Sequence, residues 1–481
     1  MRTGKRGRPR KQFHYHREEP ADSNVEIATL SEVPMKKALS SPEADAWRAA
    51  MIEELTSIIR NDTWTLVDRP NEDIVIGCRM ILRNKVNTDG SVQRRKARLV
   101  AQGFRQQPGV HFNETFAPVA RLGSIRLMVS LAACFKMKIH QLDVTTAYLN
   151  GYLEEEVLME PPKGLKRMLE QIIDNGCDDH VREKARRMLQ GLRSGSKVCK
   201  LEKALYGLRQ VGRSWYNRFD DVLKKCGAVP TNADACLYHI GQGENIVLIA
   251  VYVDDVLIAS KDVKSMQKVS DHISQHFDIR DLGEVQQCLG IDFRRDGNVI
   301  ELSQSGYIDE MLNRFGMENC NPVSSPLDQN PKLNREVEES SKDEADLPYR
   351  ELLGCLTYLA TCTRPDISYA VSYLGQFNNC FGEPHWKAAK RILRYLKGTK
   401  DVGLVYRPDS KPLVGYVDSD WGNCHLDRRS HSGFIFLLSG CAVTWDSKKQ
   451  KTVALSSCEA EYMALTKGAK AAVFLQRFLI E

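Results

Sequence analysis

The stretch IAVYVDDVLIAS, residues 249–260, sets two adjacent acids, Asp254 and Asp255, inside an otherwise apolar run. The flanking segments, IAVYV and VLIAS, are aliphatic and β-branched, so the stretch reads as a hairpin with buried arms and carboxylates at its tip. Ionised carboxylates held rigidly at such a place are costly unless they are paired or bind a metal. A hard divalent cation such as Mg²⁺ takes one or two carboxylates from the protein and completes its shell with substrate phosphates and water. QLDVTTAYLNG offers a third acid: Asp143 ends a β-like segment and precedes small and hydroxyl residues that let a ligand approach the backbone. Two strands bearing three acids meet the needs of two-metal phosphoryl or nucleotidyl transfer, with metals roughly 3.5–4 Å apart. A lone Asp-Asp pair is also what a solvated β-turn carries, so the decision rests on the surrounding sequence.

At 481 residues the chain exceeds what one hydrophobic core usually serves, which predicts two or more domains. The formal charge of +6 suits an anionic partner without demanding one. Fourteen scattered cysteines form no CxxC pair and no local Cys/His cluster, which argues for reduced thiols and against a zinc finger or disulfide scaffold. The opening MRTGKRGRPRKQ is basic and lacks the apolar core of a secretory signal. Runs such as IVLIAVYV are less than half of what a membrane span needs. A cytoplasmic or nuclear protein without membrane partners is expected.

Residues 1–42 combine Arg/Lys clusters with Pro, Ser and His and predict a disordered lead-in, in which RGRPRK is either a solvated linker or a nucleic-acid or nuclear-import patch. From Ser41 a helical period begins, with Trp47, Met51, Leu55 and Ile58 on one face. TWTLV and IVIGCRMILRNKV follow as strands, and Asp89-Gly90 is a hairpin-turn signal before SVQRRKARLVA. LGSIRLMVSLAACFK is helical, and the Lys/Arg/Glu/Leu-rich residues 163–196 predict an inserted helical excursion. Residues 321–347 carry Pro, Ser and acids without periodicity, as a linker does. Helices and then three strands with a last helix complete the chain.

From about Ala46 onward the text resembles the copia-type (Ty1/copia) retrotransposon Pol polyprotein, in its reverse transcriptase region and ribonuclease H module. The resemblance is carried by RRKARLVAQGFRQQPGVHFNETFAPVARLGSIR, QLDVTTAYLNG, VCKLEKALYGLRQVGRSWY, YVDD, TRPDISYAV, RILRYLKGT, YVDSDWG and SKKQKTVALSSCEAEYMAL. It implies an α+β chain with a right-hand polymerase fold of fingers, palm and thumb over 43–320, and a helical connection over 348–404. An incomplete ribonuclease H-like α/β domain over 405–481 would follow. It implies RNA-directed DNA polymerase activity with Mg²⁺, or Mn²⁺ as a substitute, on an RNA template with a DNA or tRNA primer and deoxynucleoside triphosphates. Capsid, protease and integrase parts of the polyprotein are implied partners, and a cytoplasmic, particle-associated setting with access to the nucleus is implied for the whole.

By the same resemblance Asp143, Asp254 and Asp255 are the catalytic metal ligands. Tyr148 would lie beneath the incoming sugar, with a core tyrosine as the alternative reading. In the run Arg95, Lys96, Arg98, strand alternation puts Lys96 and Arg98 on one face as the candidates for the triphosphate. Gln210 would contact the nucleotide sugar, and Leu289 and Gly290 would hold the primer end. Asp418 and Glu461 match the first two acids of a ribonuclease H site. The later strands of that module are missing, so no ribonuclease H activity is expected, and the Asp418 strand should be a sheet edge. Two departures stand out: the long insertion at 163–196, and Met80 near the place where a tryptophan is usual. The rival function is a catalytically inert nucleic-acid-binding relic of a mobile element. A two-metal nuclease or phosphatase on another fold would require all the other matches to be coincidence.

Overall fold

Strand and helix placement follows the apolar period, and the long-range pairings decide what those elements hold. The computed structural model describes residues 32–71, 74–86, 92–174, 178–193, 195–328, 333–334, 347–409 and 411–480. The RGRPRK string, the Asp89-Gly90 turn and much of the 321–347 segment lie outside the described residues. The chain divides into two units, Met1–Glu54 with Met80–Arg98, and Leu55–Arg79 with Leu99–Glu481.

The first elements are α1 (Met35–Ser40), α2 (Ala44–Arg60), β1 (Trp64–Asp68), β2 (Val75–Ile76), β3 (Cys78–Val86) and β4 (Val92–Ala101). Within the smaller unit, β3 and β4 form a two-stranded sheet. Trp47, Ala50 and Met51 are buried there, on the apolar stripe of α2. Arg95 is committed to that helix: it ion-pairs with Glu43, and its guanidinium lies 5.6 Å from the centre of the Trp47 ring. Arg94 pairs with Glu53 at 2.7 Å. Lys96 and Arg98 flank the buried Ala97 and are half-buried themselves.

The larger unit continues with α3 (Leu122–Cys134), β5 (Lys138–Val144), β6 (Tyr152–Met159), α4 (Leu165–Asp174), α5 (Asp179–Gly191), β7 (Lys197–Lys203) and α6 (Val211–Lys225). Next come β8 (Val229–Pro230), β9 (Leu237–Ile240), β10 (Val247–Tyr252), β11 (Asp255–Ser260), α7 (Val263–Ser274) and β12 (Ile279–Glu284). An antiparallel sheet in the order β12-β5-β11-β10-β9-β8 is its centre. Strand β10 is buried at every position but the last, and β11 at every position but the first, so the only solvated part of this hairpin is its tip. Apolar residues of α3, α6 and α7 share one core with the sheet. A second sheet, β1-β7-β6-β2, flanks the helix pair α4 and α5.

The remaining elements are β13 (Gln287–Cys288), β14 (Ile291–Asp296), β15 (Val299–Ser303), α8 (Ser305–Arg314), α9 (Tyr349–Cys362), α10 (Ser368–Gly375) and α11 (Glu383–Gly398). They end with β16 (Leu404–Tyr406), β17 (Val414–Ser419), β18 (His431–Leu438), β19 (Cys441–Lys449) and α12 (Ser457–Ile480). Helices α8 to α11 have a core of their own. There Arg364, 1% exposed, bonds Asp366 at 2.7 Å and the Thr399 carbonyl at 2.9 Å, which ties the TRPD and KGT motifs together. Strand β16 joins β13, β14 and β15 in a third sheet, and β17-β18-β19 form a fourth with β17 at its edge.

Side chains of that last sheet and of α12 share the central core: Phe436 and Val443 of the sheet and Leu475 and Phe478 of the helix pack with the residues under β5, β10 and β11. Arg126, buried in α3, donates from Nε to the Val443 carbonyl at 2.9 Å and from Nη1 to the carbonyls of Thr361 and Cys362 at 2.7 and 2.9 Å. Its guanidinium lies 3.9 Å from the centre of the Trp445 ring. One buried cation thus fastens α3, α9 and β19 together, and the three carbonyls and the ring that receive it offset the cost of burying it.

Candidate active site: the acid turn and its supports

Strands β10 and β11 pair in a register that sets Tyr252 opposite Asp255, so only Val253 and Asp254 form the turn. Val253 has φ 58°, a left-handed conformation at the first central position, which is the pattern of a type II′ hairpin turn. Glycine is the usual occupant, and a β-branched residue there costs about 1–2 kcal/mol. The surroundings over-determine the turn: Trp215 Nε1 donates to the Val253 carbonyl and the Val144 amide donates to the Asp254 carbonyl, each at 2.8 Å.

The third acid arrives by strand pairing. Strand β5 lies antiparallel to β11 in the register Asp143 opposite Asp255, so two carboxylates stand on neighbouring strands and Asp254 adjoins them in the turn. Asp254 is exposed, while Asp143 and Asp255 are half-buried. Gln141 Nε2 donates to Asp255 Oδ1 at 2.8 Å. Burial raises the Asp255 carboxyl to about 6; the Gln141 bond opposes the rise, and the negative charges of Asp254 and Asp143 add to it. Among the described residues no group of three or more His, Cys, Asp or Glu side chains is gathered as a metal site. The acids nonetheless fit a divalent cation, because such an ion relieves the like-charge conflict that lifts Asp255 and needs only one or two protein carboxylates.

After Asp143 the chain turns sharply at Thr146, φ 53°, into a short 3₁₀ turn, Ala147–Asn150. Tyr148 on that turn is half-buried, with its ring edge-on to Tyr206 at 5.6 Å. Gly151 is required by packing: a Cβ there would lie 2.8 Å from the backbone of Ser214 and Trp215. Gln210 is buried, 3% exposed, and both ends of its amide are used by protein. Its Oε1 accepts from Gln106 at 3.0 Å and its Nε2 donates to the His111 carbonyl at 2.8 Å.

Leu289 and Gly290 form the tip between β13 and β14, with φ 53° and 67°. The Tyr358 hydroxyl donates to the Leu289 carbonyl, and Gln304 Nε2 donates to the Gly290 carbonyl at 3.2 Å. Asp418 is exposed on the edge strand β17, and Glu461 is exposed on α12. Lys96 and Arg98 belong to the smaller unit described above. The sequence reading missed the supports: Gln141, Trp215, Gln304 and Tyr358. Gln141 had a readable signal, since it lies two residues before Asp143 and so shares its strand face; the other three act through contacts distant in sequence.

A mixed α/β chain whose central antiparallel sheet brings acids together at a hairpin tip is the frame in which the comparisons fall. The family model for reverse transcriptase (RNA-dependent DNA polymerase) matches residues 61–176 and 187–329, and the chain belongs to that family. The interruption between the matched segments takes in the first part of α5, while α4 lies within the first segment. Among its relatives is the retrovirus-related Pol polyprotein from transposon TNT 1-94 of Nicotiana tabacum, 39% identical over 454 residues, 93% of this chain and 32% of that polyprotein. The corresponding polyprotein from transposon RE1 of Arabidopsis thaliana is 38% identical over 92% of this chain and 28% of its own length. A transposon Ty5-1 protein of Saccharomyces cerevisiae is 31% identical over 67% of this chain and 97% of that protein. The chain thus spans about a third of the length of the two plant polyproteins. Among the described residues no helix is long and apolar enough to cross a membrane.

Proposed function

We propose that this chain is the reverse transcriptase part of a copia-type retrotransposon Pol polyprotein, an RNA-directed DNA polymerase that adds deoxynucleotides to a primer 3′-hydroxyl on an RNA or DNA template. The observation that carries the reading is the register of β5 against β11, which sets Asp143 opposite Asp255 with Asp254 in the adjoining turn. In this reading the six-stranded sheet is the palm, the β3–β4 ribbon belongs to the fingers, and α8 to α11 are the connection. The β17–β19 sheet with α12 is the ribonuclease H-like part. Asp143, Asp254 and Asp255 would hold Mg²⁺ in a two-metal arrangement, with Mn²⁺ able to replace it. The bound cation supplies Lewis-acid activation and neutralises charge on the reacting phosphate.

The protein groups supply position. Trp215 and the Val144 amide fix the turn, and Gln141 orients Asp255, so the carboxylates need no rearrangement when substrate arrives. Tyr148 would bound the sugar pocket, and Leu289 and Gly290 would seat the primer end. The resemblance assigns Lys96 and Arg98 to the triphosphate. Gln210, with its amide engaged by Gln106 and His111, serves that pocket by shaping it. The ribonuclease H-like part supplies Asp418 and Glu461, two of the acids that such a site uses. Particle association in the cytoplasm and partnership with the other polyprotein products belong to the same proposal.

The test is incorporation of deoxythymidine triphosphate on poly(rA) with an oligo(dT) primer and Mg²⁺. The parent extends the primer, and Asp254→Asn reduces the rate by at least about a hundredfold without changing the melting profile. A folded parent that extends nothing with either Mg²⁺ or Mn²⁺ replaces this reading with that of an inert nucleic-acid-binding relic.

A further inference from the structure

At the point where β6 leaves the 3₁₀ turn, Tyr152 is 55% exposed and stands opposite Lys203 of β7 in the strand register. Lys203 Nζ lies 5.6 Å from the centre of its ring, and the Arg218 guanidinium of α6 lies 5.4 Å from it. Arg218 also lies 5.8 Å from the buried ring of Phe277. Phe277 packs edge-on against Trp215 at 5.2 Å, and Trp215 is the residue that bonds the acid turn. A continuous set of contacts therefore joins the two cations to the Val253 carbonyl.

Among the described residues neither Lys203 nor Arg218 makes a side-chain hydrogen bond or an ion pair, although both are partly withdrawn from water. The acid whose charge acts on Lys203, Asp62, is ion-paired with Lys184 at 2.6 Å. Burial lowers the Lys203 pKa; Asp62 opposes this, and the Arg218 and Lys184 cations lower it further. Two cations brought together on one aromatic ring, without a carboxylate between them, leave a local surplus of positive charge that an anion would relieve. The phenol hydroxyl adds a donor at the exposed end of the ring. A guanidinium and an ammonium against one ring, with a hydroxyl at its edge, are the donor types that a phosphate takes, and phosphate contacts position a nucleic acid without reading its sequence.

We propose that Lys203 and Arg218, aligned by Tyr152, form a phosphodiester clamp that grips the nucleic acid and is coupled to the acid turn through Phe277 and Trp215. The assignment rests on the polymerase reading for its strand, while its chemistry requires only a phosphate anion. Two sources of that anion are distinguishable: the nucleic-acid backbone, to which the clamp is assigned, and the triphosphate of the incoming nucleotide.

The experiment compares the parent with Lys203→Gln/Arg218→Gln in binding an RNA template annealed to a DNA primer over a series of salt concentrations, beside the KM for the deoxynucleoside triphosphate. Removing two phosphate contacts should reduce the slope of log K against log salt by about 1.5–2 and weaken binding about tenfold or more at moderate salt. The KM for nucleotide should stay within twofold, and melting profiles should match. Lys203→Arg keeps the parent slope, and Tyr152→Ala, which releases the cations, gives an intermediate one. An unchanged slope with a raised nucleotide KM overturns the assignment in favour of a triphosphate contact. An unchanged slope and an unchanged KM overturn it in favour of cations that only cover Phe277. If the parent binds with the expected salt response but does not extend the primer, the polymerase reading fails and the clamp stands. If the parent extends and the slope is unaltered, the clamp alone fails.

Discussion

Two hairpin tips in the larger unit take the same sharp turn by different means. Between β10 and β11 the turn has one left-handed residue, Val253 at φ 58°; between β13 and β14 it has two, Leu289 at 53° and Gly290 at 67°. The first pattern is that of a type II′ turn and the second that of a type I′ turn, and both suit the right-handed twist of a hairpin. Glycine adopts the conformation freely, whereas valine and leucine are strained by it. Both tips are held by donors from outside the hairpin that bond the main-chain carbonyls of the turn. The Leu289–Gly290 tip is clamped from outside the hairpin by Tyr358 and Gln304. At the acid tip the bonds from Trp215 and Val144 engage main-chain carbonyls, so the turn is fixed without using the carboxylates. Each tip thus keeps one strained side chain, Val253 or Leu289, and a glycine stands only at the position where the Tyr358 hydroxyl comes close.

The largest effect should come from neutralising charge at the acid tip. Asp255→Asn removes a carboxylate from the proposed ligand set and should lower primer extension by at least about a hundredfold. The same change should stabilise the fold above neutral pH in the absence of divalent cations. The Asp255 carboxyl is raised from 3.8 to about 6 in the folded protein, so its contribution to stability is complete below pH 3.8 and is lost as the pH rises through about 6. Asparagine is neutral and still accepts the Gln141 bond. Melting curves at pH 3.5, 5 and 8 check this: a rise of a few degrees in Tm for the variant at pH 8, about half of that rise at pH 5, and little difference at pH 3.5. A parent as stable as the variant at pH 8 would show that no charge conflict exists at the tip.

A smaller effect should follow from filling the space at the other tip. A Cβ on Gly290 would overlap the Tyr358 hydroxyl and would force a side chain into the left-handed region. Gly290→Ala should therefore cost about 1–2 kcal/mol, read from the urea midpoint. Tyr358→Phe loses the bond to the Leu289 carbonyl and should cost about 0.5–1.5 kcal/mol by itself. Combined with Gly290→Ala it removes the obstructing oxygen, so the double variant should be more stable than the sum predicts, by about 0.5 kcal/mol or more. Strict additivity would mean that the hydroxyl and the turn do not touch.

Much of this site is readable from local pattern. The apolar arms around Asp254 and Asp255 announce a hairpin because strands buried on both faces are continuous apolar runs, and Asp143 follows a β-like segment in the same way. What pairs with what is less readable. The register of β5 against β11 joins segments separated by α4, α5, α6 and the strands of another sheet, and only the fold reveals it. The three-residue strand β16 is too short to carry a period, and its place beside β15 links the final sheet's neighbourhood to the Leu289–Gly290 hairpin. Arg126 looks like a lone charge within LGSIRLMVSLAAC, yet it is buried because carbonyls and a ring from α9 and β19 receive it. Gln210 illustrates the same limit, since its partners Gln106 and His111 lie about a hundred residues earlier in the chain.

The smallest change in stability is expected from Val253→Gly. Relief of the left-handed valine is worth about 1–2 kcal/mol, but glycine adds entropy to the unfolded chain, and the lost side chain packs against the central core. These effects oppose one another, so the urea midpoint should move by less than about 1 kcal/mol in either direction. Activity should respond more, because the glycine tip can leave the geometry that fixes Asp254, and misplacement on the scale of an ångström costs up to about a hundredfold in rate. We expect the rate at saturating substrate to fall about tenfold while the KM for primer–template stays near the parent value. Leu289→Gly is the matching relief of strain at the other tip, and there the expected change is in the KM for primer–template rather than in the maximal rate. If both glycine variants alter the same parameter, the two tips do not divide the work between holding charge and holding the primer, and the strain at Val253 is a feature of the turn alone.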